Sequence, residues 1–268
     1  MLNSIIKYFK IWLKFTTIAT QIAFTSRFGA TVFIVAKILR IIFFLLLLIF
    51  LTSKVKVIAG YSLWQIALFY ATFNLIDSLT QFFLREVYRF RSYVTMGYLD
   101  YILIKPFSAL FRSLFGGSDL LDLPVIFLSV IFIFIVAQRI ENLSLVGMLL
   151  YILLVLNALL IAASFHIFVL SIGVLTTEVD NTIMLYRDLT QMGRVPVEIY
   201  KETISWIITF VIPVGIMVSF PTKALMGLLS PSYIFISFLT GLIFVILRLY
   251  HRPSYLHSNI GLMKTSKI

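Results

Sequence analysis

The chain has 268 residues, of which 61% are hydrophobic and 12% are charged, with a mean hydropathy of +1.05 and a formal net charge of +11. Soluble domains carry roughly 45 to 50% apolar and 25% charged residues, so this composition excludes a water-soluble globular protein. In lipid the backbone must satisfy its own hydrogen bonds, which α-helices and closed β-barrels do. Because cysteine is absent, disulfides and thiolate metal sites are excluded as well.

Long apolar runs decide between helices and a barrel. Residues 41–51 (IIFFLLLLIFL) and 125–137 (VIFLSVIFIFIVA) are apolar almost throughout, whereas barrel strands alternate between polar and apolar residues. A helix of about 20 apolar residues crosses a bilayer core of about 30 Å. We therefore predict a single all-α integral membrane domain over residues 1–268. The six predicted transmembrane helices are residues 31–53, 61–83, 120–138, 144–175, 203–220 and 232–250.

The basic residues are distributed unequally between the loops. With a cytoplasmic N-terminus, residues 1–30, 84–119, 176–202 and 251–268 lie inside and hold 16 of the 22 Lys and Arg, counting the end of the last span. The positive-inside rule then places both termini in the cytoplasm. The positive charge is a topological signal and predicts no nucleic-acid partner, because no soluble face is available to carry a basic stripe. The basic residues on the opposite side are Lys54, Lys56, Arg139 and Lys223.

The N-terminal stretch 5–15 (IIKYFKIWLKF) is amphipathic. Lys7, Lys10 and Lys14 are spaced by three and four residues, with apolar side chains on the opposite helix face. This pattern predicts an interfacial helix over about residues 5–24 that lies against the anionic lipids of the inner leaflet. A basic tail that only sets the topology is the alternative.

The loop 84–119 begins polar and basic and becomes apolar toward the third span. Its first part, through Tyr93, suits a helix, and Gly97 permits a turn. Pro106 ends any helix before it, and a glycine pair at 116–117 breaks the chain. The loop therefore predicts a short helix outside the membrane, a shape suited to transmitting force from a soluble motor. Its charge pattern fits a solvated loop equally well.

Two cations lie within the first predicted span. Lys37 and Arg40 are three residues apart on one helix face, and a charge at mid-bilayer costs about 2.5 kcal/mol or more. They either face an interior pathway, where they favour an anionic or amphiphilic substrate head, or they snorkel to the headgroups or pair with Asp77. Asp77 itself begins a row with Gln81 and Arg85 at steps of four, which favours a ladder of hydrogen bonds along one helix face.

No constellation of catalytic residues is apparent. The sequence lacks the G-x-x-x-x-G-K-[S/T] loop that holds nucleotide phosphates, so an ATP-driven process needs a separate ATPase chain. His166 in the fourth span has no companion ligands for a metal and favours a packing role over a proton relay. We predict that the chain is not an enzyme and binds no cofactor itself.

Three phrases carry a resemblance to a known family. They are residues 96–111 (MGYLDYILIKPFSALF), 193–200 (GRVPVEIY) and 210–227 (FVIPVGIMVSFPTKALMG). In this order and spacing they resemble the signatures of a bacterial ATP-binding-cassette (ABC) permease family of the type-2 exporter group, in a branch often labelled as a domain of unknown function. The likeness extends over nearly the whole chain.

The resemblance implies a permease subunit in the bacterial inner membrane that works as a dimer, with a second copy or a sister permease. Each half binds a cytoplasmic ABC ATPase, which holds ATP and Mg²⁺ and contacts the interfacial helix and a coupling helix between spans 2 and 3. It also implies external re-entrant helices between spans 5 and 6, for which the run from Pro213 to Pro231 is the candidate; one kinked span followed by a loop is the alternative. The implied ATPase-coupling residues are Arg85, Glu86, Tyr88, Arg89, Arg91, Gly97 and Asp100, and the implied structural motif residues are Lys105, Pro106, Gly193, Pro196, Tyr200, Pro213 and Pro221.

Two other functions stay open at this point. An ion-coupled secondary transporter is disfavoured, because most acidic residues lie near the predicted cytoplasmic ends of the spans and ion coupling usually needs one near the midplane. A non-transporting membrane scaffold fits the same topology.

Overall fold

The computed structural model describes residues 2–54, 57–140, 143–176 and 179–250, and every regular element in these ranges is helical. Short 3-10 turns connect α3 to α4 and α6 to α7, and two more follow α9. The predicted cytoplasmic tail 251–268 and Lys56 lie outside the described residues. The α-helices are α1 Leu2–Ala23, α2 Arg27–Lys54, α3 Leu63–Leu84, α4 Phe90–Thr95, α5 Tyr98–Leu103, α6 Ala109–Phe115, α7 Leu123–Ala137, α8 Leu145–Thr176, α9 Val179–Thr190, α10 Glu202–Trp206, α11 Phe220–Leu225 and α12 Pro231–Tyr250.

Three helical stretches within the described ranges are long and apolar enough to cross a bilayer: Arg27–Leu51, Ala109–Ala137 and Leu145–Ile172. A fourth candidate is the pair Glu202–Val211 and Gly215–Leu225, whose two halves are bent by 81°. The all-helical membrane fold is therefore confirmed. The number of six crossings stays a prediction.

Helix α3 is the centre of the bundle. Its residues are buried without interruption from Ile66 to Ile76, and its neighbours include α7 and α8. Because protein surrounds it, α3 carries Asn74, Asp77 and Gln81, whose polar groups would be costly against lipid. Helix α2 is the opposite case, since large apolar side chains such as Phe43 (67% exposed) face outward.

Helices α8 and α12 are joined by a polar contact. Asn157 Nδ2 donates hydrogen bonds to the carbonyl oxygen (2.9 Å) and to Oγ (3.1 Å) of Ser237. Gly241 leaves room for this amide, since a Cβ at that position would come within 1.9 Å of Asn157 Oδ1. His166 lies buried in α8, with Nδ1 2.8 Å from the carbonyl oxygen of Ala162. This hydrogen bond agrees with the predicted packing role of His166.

The loop after α3 is helical over most of its length, as its first part predicted, and its position outside the membrane stays a prediction. A 3-10 turn (Arg85–Arg89) continues α3 into α4. Gly97 then turns the chain with a φ of 73°, which favours glycine. Helix α5 ends at Leu103, before Pro106.

Helix α1 packs against the far end of this loop. Lys7 Nζ donates to the carbonyl oxygen of Pro106 (3.0 Å), and Trp12 Nε1 donates to Ser118 Oγ (3.1 Å). Gly117 lets its segment approach α1 closely, because a Cβ there would come within 2.7 Å of Ala19 Cβ. The predicted N-terminal helix is therefore confirmed, and it is docked onto the 106–118 segment. Its position at the membrane surface stays a prediction.

The predicted sides of residues 176–202 and of Lys223 cannot both be right. The prediction put Glu198 and Lys223 on opposite sides of the membrane, whereas the two side chains form an ion pair. The Tyr186 ring stacks on Phe165 of α8 at 4.2 Å between centroids, so α9 lies beside α8. Lys223 lies near the N-terminal end of α8, because Gly147 of α8 packs against the carbonyl oxygen of the next residue, Ala224.

The predicted span 203–220 is bent, which fits both a re-entrant hairpin and a kinked span. The helix is interrupted at residues 212–214, around Pro213, and the halves on either side form the 81° bend. Proline removes a backbone donor and prevents the straight continuation of a helix. π-Helical stretches at Ile207–Val211 and Gly215–Ser219 flank the break.

Candidate functional site

An exposed helical hairpin extends beyond the C-terminal end of α3. It consists of α4, the Gly97 turn and α5, and we call residues 90–105 the coupling tip. Met96 (68% exposed), Tyr98, Tyr101 and Ile104 present apolar surface there. Clustered exposed apolar side chains of this kind mark a contact with another protein or with the membrane. These four residues were not predicted as coupling residues, although all of them lie in the phrase 96–111, where the loop has become apolar.

The predicted coupling residues divide into two groups. Arg91, Gly97 and Asp100 are exposed on the coupling tip, and the motif residue Lys105 is exposed at its end. The other four belong to the 3-10 turn that supports the tip. Arg89 is exposed there, Arg85 and Tyr88 are partly buried, and Glu86 is fully buried.

Glu86 is the centre of the support. Its carboxylate is 1% exposed and accepts hydrogen bonds from Arg112 Nη1 (2.6 Å), from Arg89 Nη1 (3.3 Å) and from the hydroxyl of Tyr93. We call these four residues the Glu86 cluster. Burial, and then the adjacent Glu86 carboxylate, raise the pKa of Tyr93, so its hydroxyl stays protonated and donates. The cluster connects the end of α3 with α4 and α6.

Arg112 extends the Glu86 cluster to α1. Its guanidinium lies 4.6 Å from the centroid of the Phe15 ring, a cation–π contact, and Nη1 also donates to the carbonyl oxygen of Gly116 (2.9 Å). One buried carboxylate therefore holds together four helices around the base of the coupling tip.

Tyr88 and Gln81 make a second connection inside the bundle. Gln81 Nε2 donates to the Tyr88 hydroxyl (3.0 Å), and the Tyr88 ring lies 6.3 Å from the imidazole of His166 in α8. Arg85 pairs with carboxylates outside α3, as described below. The described bonds of Gln81 and Arg85 thus reach other parts of the fold, so the expected ladder along one face of α3 is not what these side chains form.

A polar cleft of about 240 Å³ opens between α2, α3 and α9. Lys37 in α2 forms an ion pair with the buried Asp122, and Arg40 Nη2 lies 4.0 Å from Asp77 Oδ2. The proposed pairing with Asp77 is confirmed for Arg40, whereas the Asp122 partner of Lys37 was missed. We call this space the membrane cleft; its charged lining residues are Lys37, Arg40, Asp77, Arg85, Asp122 and Arg187.

Arg85 forms the wall of the membrane cleft nearest the coupling tip. Its Nη1 lies 2.5 Å from Asp119 Oδ2 and 3.6 Å from Asp122 Oδ2. The next residue, Glu86, is the centre of the Glu86 cluster. Two consecutive side chains of one short turn thus belong to the two charged sites.

The remaining motif residues build the bent region near Lys223. A Cβ at Gly193 would come within 2.9 Å of Val214 Cγ1, so glycine permits a close approach there. Pro196 is buried, and the Tyr200 hydroxyl donates to the carbonyl oxygen of Met192 (3.0 Å). Pro213 stands in the break between the two bent halves, and Pro221 is the second residue of α11. The geometry is consistent with structural roles for these residues.

A family model described as ABC-2 family transporter protein matches residues 35–252. The chain belongs to this family. No curated protein and no solved structure matched the chain. The family resemblance inferred from the three phrases is thereby confirmed, and the protein is a multi-pass membrane protein of the ABC transporter permease type.

The ABC-2 match begins within α2, so it leaves α1 outside the matched residues. The coupling tip, the Glu86 cluster and most of the membrane cleft lie within it. ABC-2 permeases are membrane transport components and generally have no catalytic role of their own, so these sites are to be interpreted as parts of a transport device.

Proposed function

We propose that this chain is the membrane-spanning subunit of an ABC exporter, that it forms the translocation pathway as a dimer, and that a separate cytoplasmic ATPase drives it. The ATPase would hold ATP and Mg²⁺ and bind the coupling tip. One observation carries the proposal: Arg85 and Glu86, adjacent in the chain, connect the exposed coupling tip with a charged cleft inside the helical bundle.

The contacts suggest how force would pass between the two sites. Closure of the partner ATPases on ATP would push the coupling tip, and the Glu86 cluster would carry that push to α1 and α6. The same movement would shift Arg85 against Asp119 and Asp122, and through Asp122 it would reach Lys37 of α2. The membrane cleft would then alternate between two packings whose balance nucleotide binding sets.

The proposal keeps six crossings but moves the fifth. Helices α2, α3, α7, α8 and α12 supply five crossings, and residues 179–199 supply the other as a broken helix beside α8. The bent pair Glu202–Val211 and Gly215–Leu225 would then be a re-entrant hairpin on the external side. The Glu198–Lys223 ion pair supports this assignment. Glu198 precedes the hairpin and Lys223 lies near its end, so the contact places both ends at the same depth in the membrane. Both termini would be cytoplasmic.

Single-cysteine labelling tests this topology, because the chain has no cysteine of its own. We expect Lys201→Cys to react with a membrane-impermeant maleimide added outside intact cells. Arg91→Cys, on the coupling tip, is the matched control and should react only after the cells are opened. Labelling of Lys201→Cys from the inside alone would contradict the fifth crossing.

Substitution of the coupling tip tests the ATPase contact. We expect Tyr101→Ala to weaken retention of the co-expressed ATPase by about tenfold or more, as removal of an interface aromatic commonly does. Tyr233→Ala, which truncates another exposed tyrosine at the start of α12, is the control and should retain the ATPase. The wild-type complex should also show vanadate-sensitive transport in liposomes.

The same experiment separates the alternatives. Transport that persists without the ATPase and depends on an ion gradient would favour a secondary transporter. A retained ATPase without any transport would favour a scaffold. Unchanged retention in Tyr101→Ala would show that the coupling tip is not the contact.

A further inference from the structure

Cations outnumber carboxylates around the membrane cleft. Helix α2 contributes Lys37 and Arg40, the turn after α3 contributes Arg85, and α9 contributes Arg187. The lining carboxylates are Asp77 and Asp122. Sequence analysis assigned Arg187 and Arg194 to a cytoplasmic loop and therefore did not connect them with Lys37 and Arg40.

The carboxylates are already engaged by other cations. Asp122 pairs with Lys37 and also has Arg85 at 3.6 Å, and Asp77 has Arg40 at 4.0 Å. Within the described part of the chain, Arg187 has no carboxylate oxygen within 4 Å. Its guanidinium is therefore surplus positive charge at the edge of the cleft.

Arg194 adds a second surplus cation seven residues further along. It is partly buried, and its guanidinium carbon lies 5.5 Å from the Phe73 ring centroid and 5.8 Å from that of Phe44. Its Nε is buried without a hydrogen-bond partner among the described residues, and no described carboxylate lies within 4 Å. The charges of Arg40 and Arg187, and the opposite charge of Asp77, are close enough to act on it. Two aromatic faces are its main contacts.

Unpaired guanidinium groups inside a membrane protein are costly. Such residues normally pair with a counter-charge or mark a substrate path. Like charges placed side by side add to that cost. The cost is offset when an anion from outside the chain occupies the space between them. Guanidinium groups suit an oxyanion, because their fixed donors match carboxylate and phosphate oxygens in pairs.

The surroundings of the membrane cleft indicate that the anion belongs to an amphiphile. On α2, Phe43 and Leu47 follow Arg40 by three and seven residues on one helix face, and their apolar side chains are 67% and 49% exposed. A ligand could place its charged head in the cleft and lay its hydrocarbon tail along this face of α2. A small hydrophilic anion would make no use of that face.

We propose that Arg40, Arg187 and Arg194 bind the oxyanion head group of an amphiphilic substrate as it enters the permease. This inference rests on the proposed exporter function and names the substrate class of its pathway. Arg187 lies at the membrane cleft and Arg194 two helical turns beyond it, so the head group would pass from one to the other.

Lipid binding to the purified full-length protein tests the proposal without ATPase or nucleotide. In neutral-detergent micelles, we expect fluorescent phosphatidylglycerol to bind at least tenfold more tightly than fluorescent phosphatidylcholine. Arg187→Gln and Arg194→Gln should each reduce this preference by about tenfold, while Arg194→Lys should keep part of it. Arg139→Gln is the control, because Arg139 lies over the Trp64 ring, away from the cleft, and its loss should leave the preference unchanged.

Competition distinguishes an amphiphile from a free anion. Glycerol 3-phosphate should displace phosphatidylglycerol only weakly if the tail contributes, and equal displacement would show a site for a free phosphate instead. Equal binding of the two lipids, or an unchanged preference in Arg187→Gln, would overturn the proposal. Thermal melting of each variant identifies any that fails to fold; Arg187→Gln, whose residue has no described ion pair, then carries the decision if Arg194→Gln is lost.

The two proposals can fail separately. Loss of lipid selectivity with intact ATPase retention would remove the substrate class and keep the exporter. Intact lipid selectivity with no ATPase under any condition would remove the exporter and keep an anionic-lipid site.

Discussion

The Glu86 cluster and the membrane cleft are both built from charged side chains, but their charges are balanced differently. In the Glu86 cluster one buried carboxylate accepts hydrogen bonds from two arginines and a tyrosine. In the membrane cleft, Lys37 and Arg85 both lie near the Asp122 carboxylate. No carboxylate lies within 4 Å of Arg187 in the described part of the chain. The first site is complete in itself, whereas the second leaves positive charge unmatched.

This difference indicates a structural role for the Glu86 cluster and a ligand-binding role for the membrane cleft. A closed network of buried charges stabilises one arrangement of the helices around it, and removal of one member leaves the others unpaired. A surplus charge contributes little to that arrangement and is available to a ligand. Removal of a charge should therefore affect folding strongly at Glu86 and only weakly at Arg187, the unmatched charge of the membrane cleft.

The largest effect is expected at Glu86. Glu86→Ala leaves Arg112 Nη1 and the Tyr93 hydroxyl without their acceptor, and loss of one partner of a buried ion pair typically costs about 3 to 5 kcal/mol in the free energy of unfolding. Unfolding in mixed micelles measures it. Arg89→Ala removes another member that is 51% exposed and should cost less than about 1 kcal/mol. Equal losses in the two variants would show that the cluster has no centre at Glu86.

An intermediate effect is expected at Lys37. Lys37→Gln removes the closest partner of Asp122, whose side chain is 2% exposed, although Arg85 at 3.6 Å partly compensates. We expect a loss of about 1 to 3 kcal/mol, the cost of an unsatisfied buried polar group. The double variant with Asp122→Asn should cost less than the sum of the two single variants. Additive losses would show that the pair does not act as a unit.

The smallest effect on stability is expected at Arg187. Because no described carboxylate pairs with it, Arg187→Gln should change the free energy of unfolding by less than about 0.5 kcal/mol, as for residues outside any stabilising network. Transport by the complete complex should fall nonetheless. A loss of more than 1 kcal/mol in the micelle assay would make Arg187 a structural residue and would weaken the contrast between the two sites.

Local signals in the chain predicted the loop after α3 well. Gly97, Pro106 and the glycines at 116–117 act on the backbone of their own segment, so their effect does not depend on distant residues. The turn at Gly97 and the end of α5 before Pro106 lie where these residues require them. The coupling tip was predicted as a segment, but its exposed apolar side chains were not.

Charge partners were harder to predict. Lys37 was expected either to line a pathway, to snorkel or to pair with Asp77, and its partner is Asp122, 85 residues away. The partner of Glu86 in α6, Arg112, is 26 residues away, across two helices and a turn. Spacing along a helix reports which side chains share a face, and it contains no information on which face of another element lies opposite.

The position of the segment before the fifth predicted span was hard to predict for a related reason. Residues 179–200 contain several charges, so their hydropathy indicates a loop. The structure places this segment against α8 and α3, where Tyr186 stacks on Phe165 and Arg194 lies over Phe73. Hydropathy measures the cost of facing lipid, and it misleads wherever protein replaces lipid as the neighbour.

The sequence by itself determined that this protein is a helical membrane protein and that it belongs to the ABC-2 permeases, because composition and local phrases carry that information. Only the tertiary structure decided where the chain bends between residues 202 and 225, which charges are matched, and that Arg187 and Arg194 extend the charged face begun by Lys37 and Arg40. Those features depend on contacts between helices distant in the chain, where electrostatic energy is set by the neighbours in space.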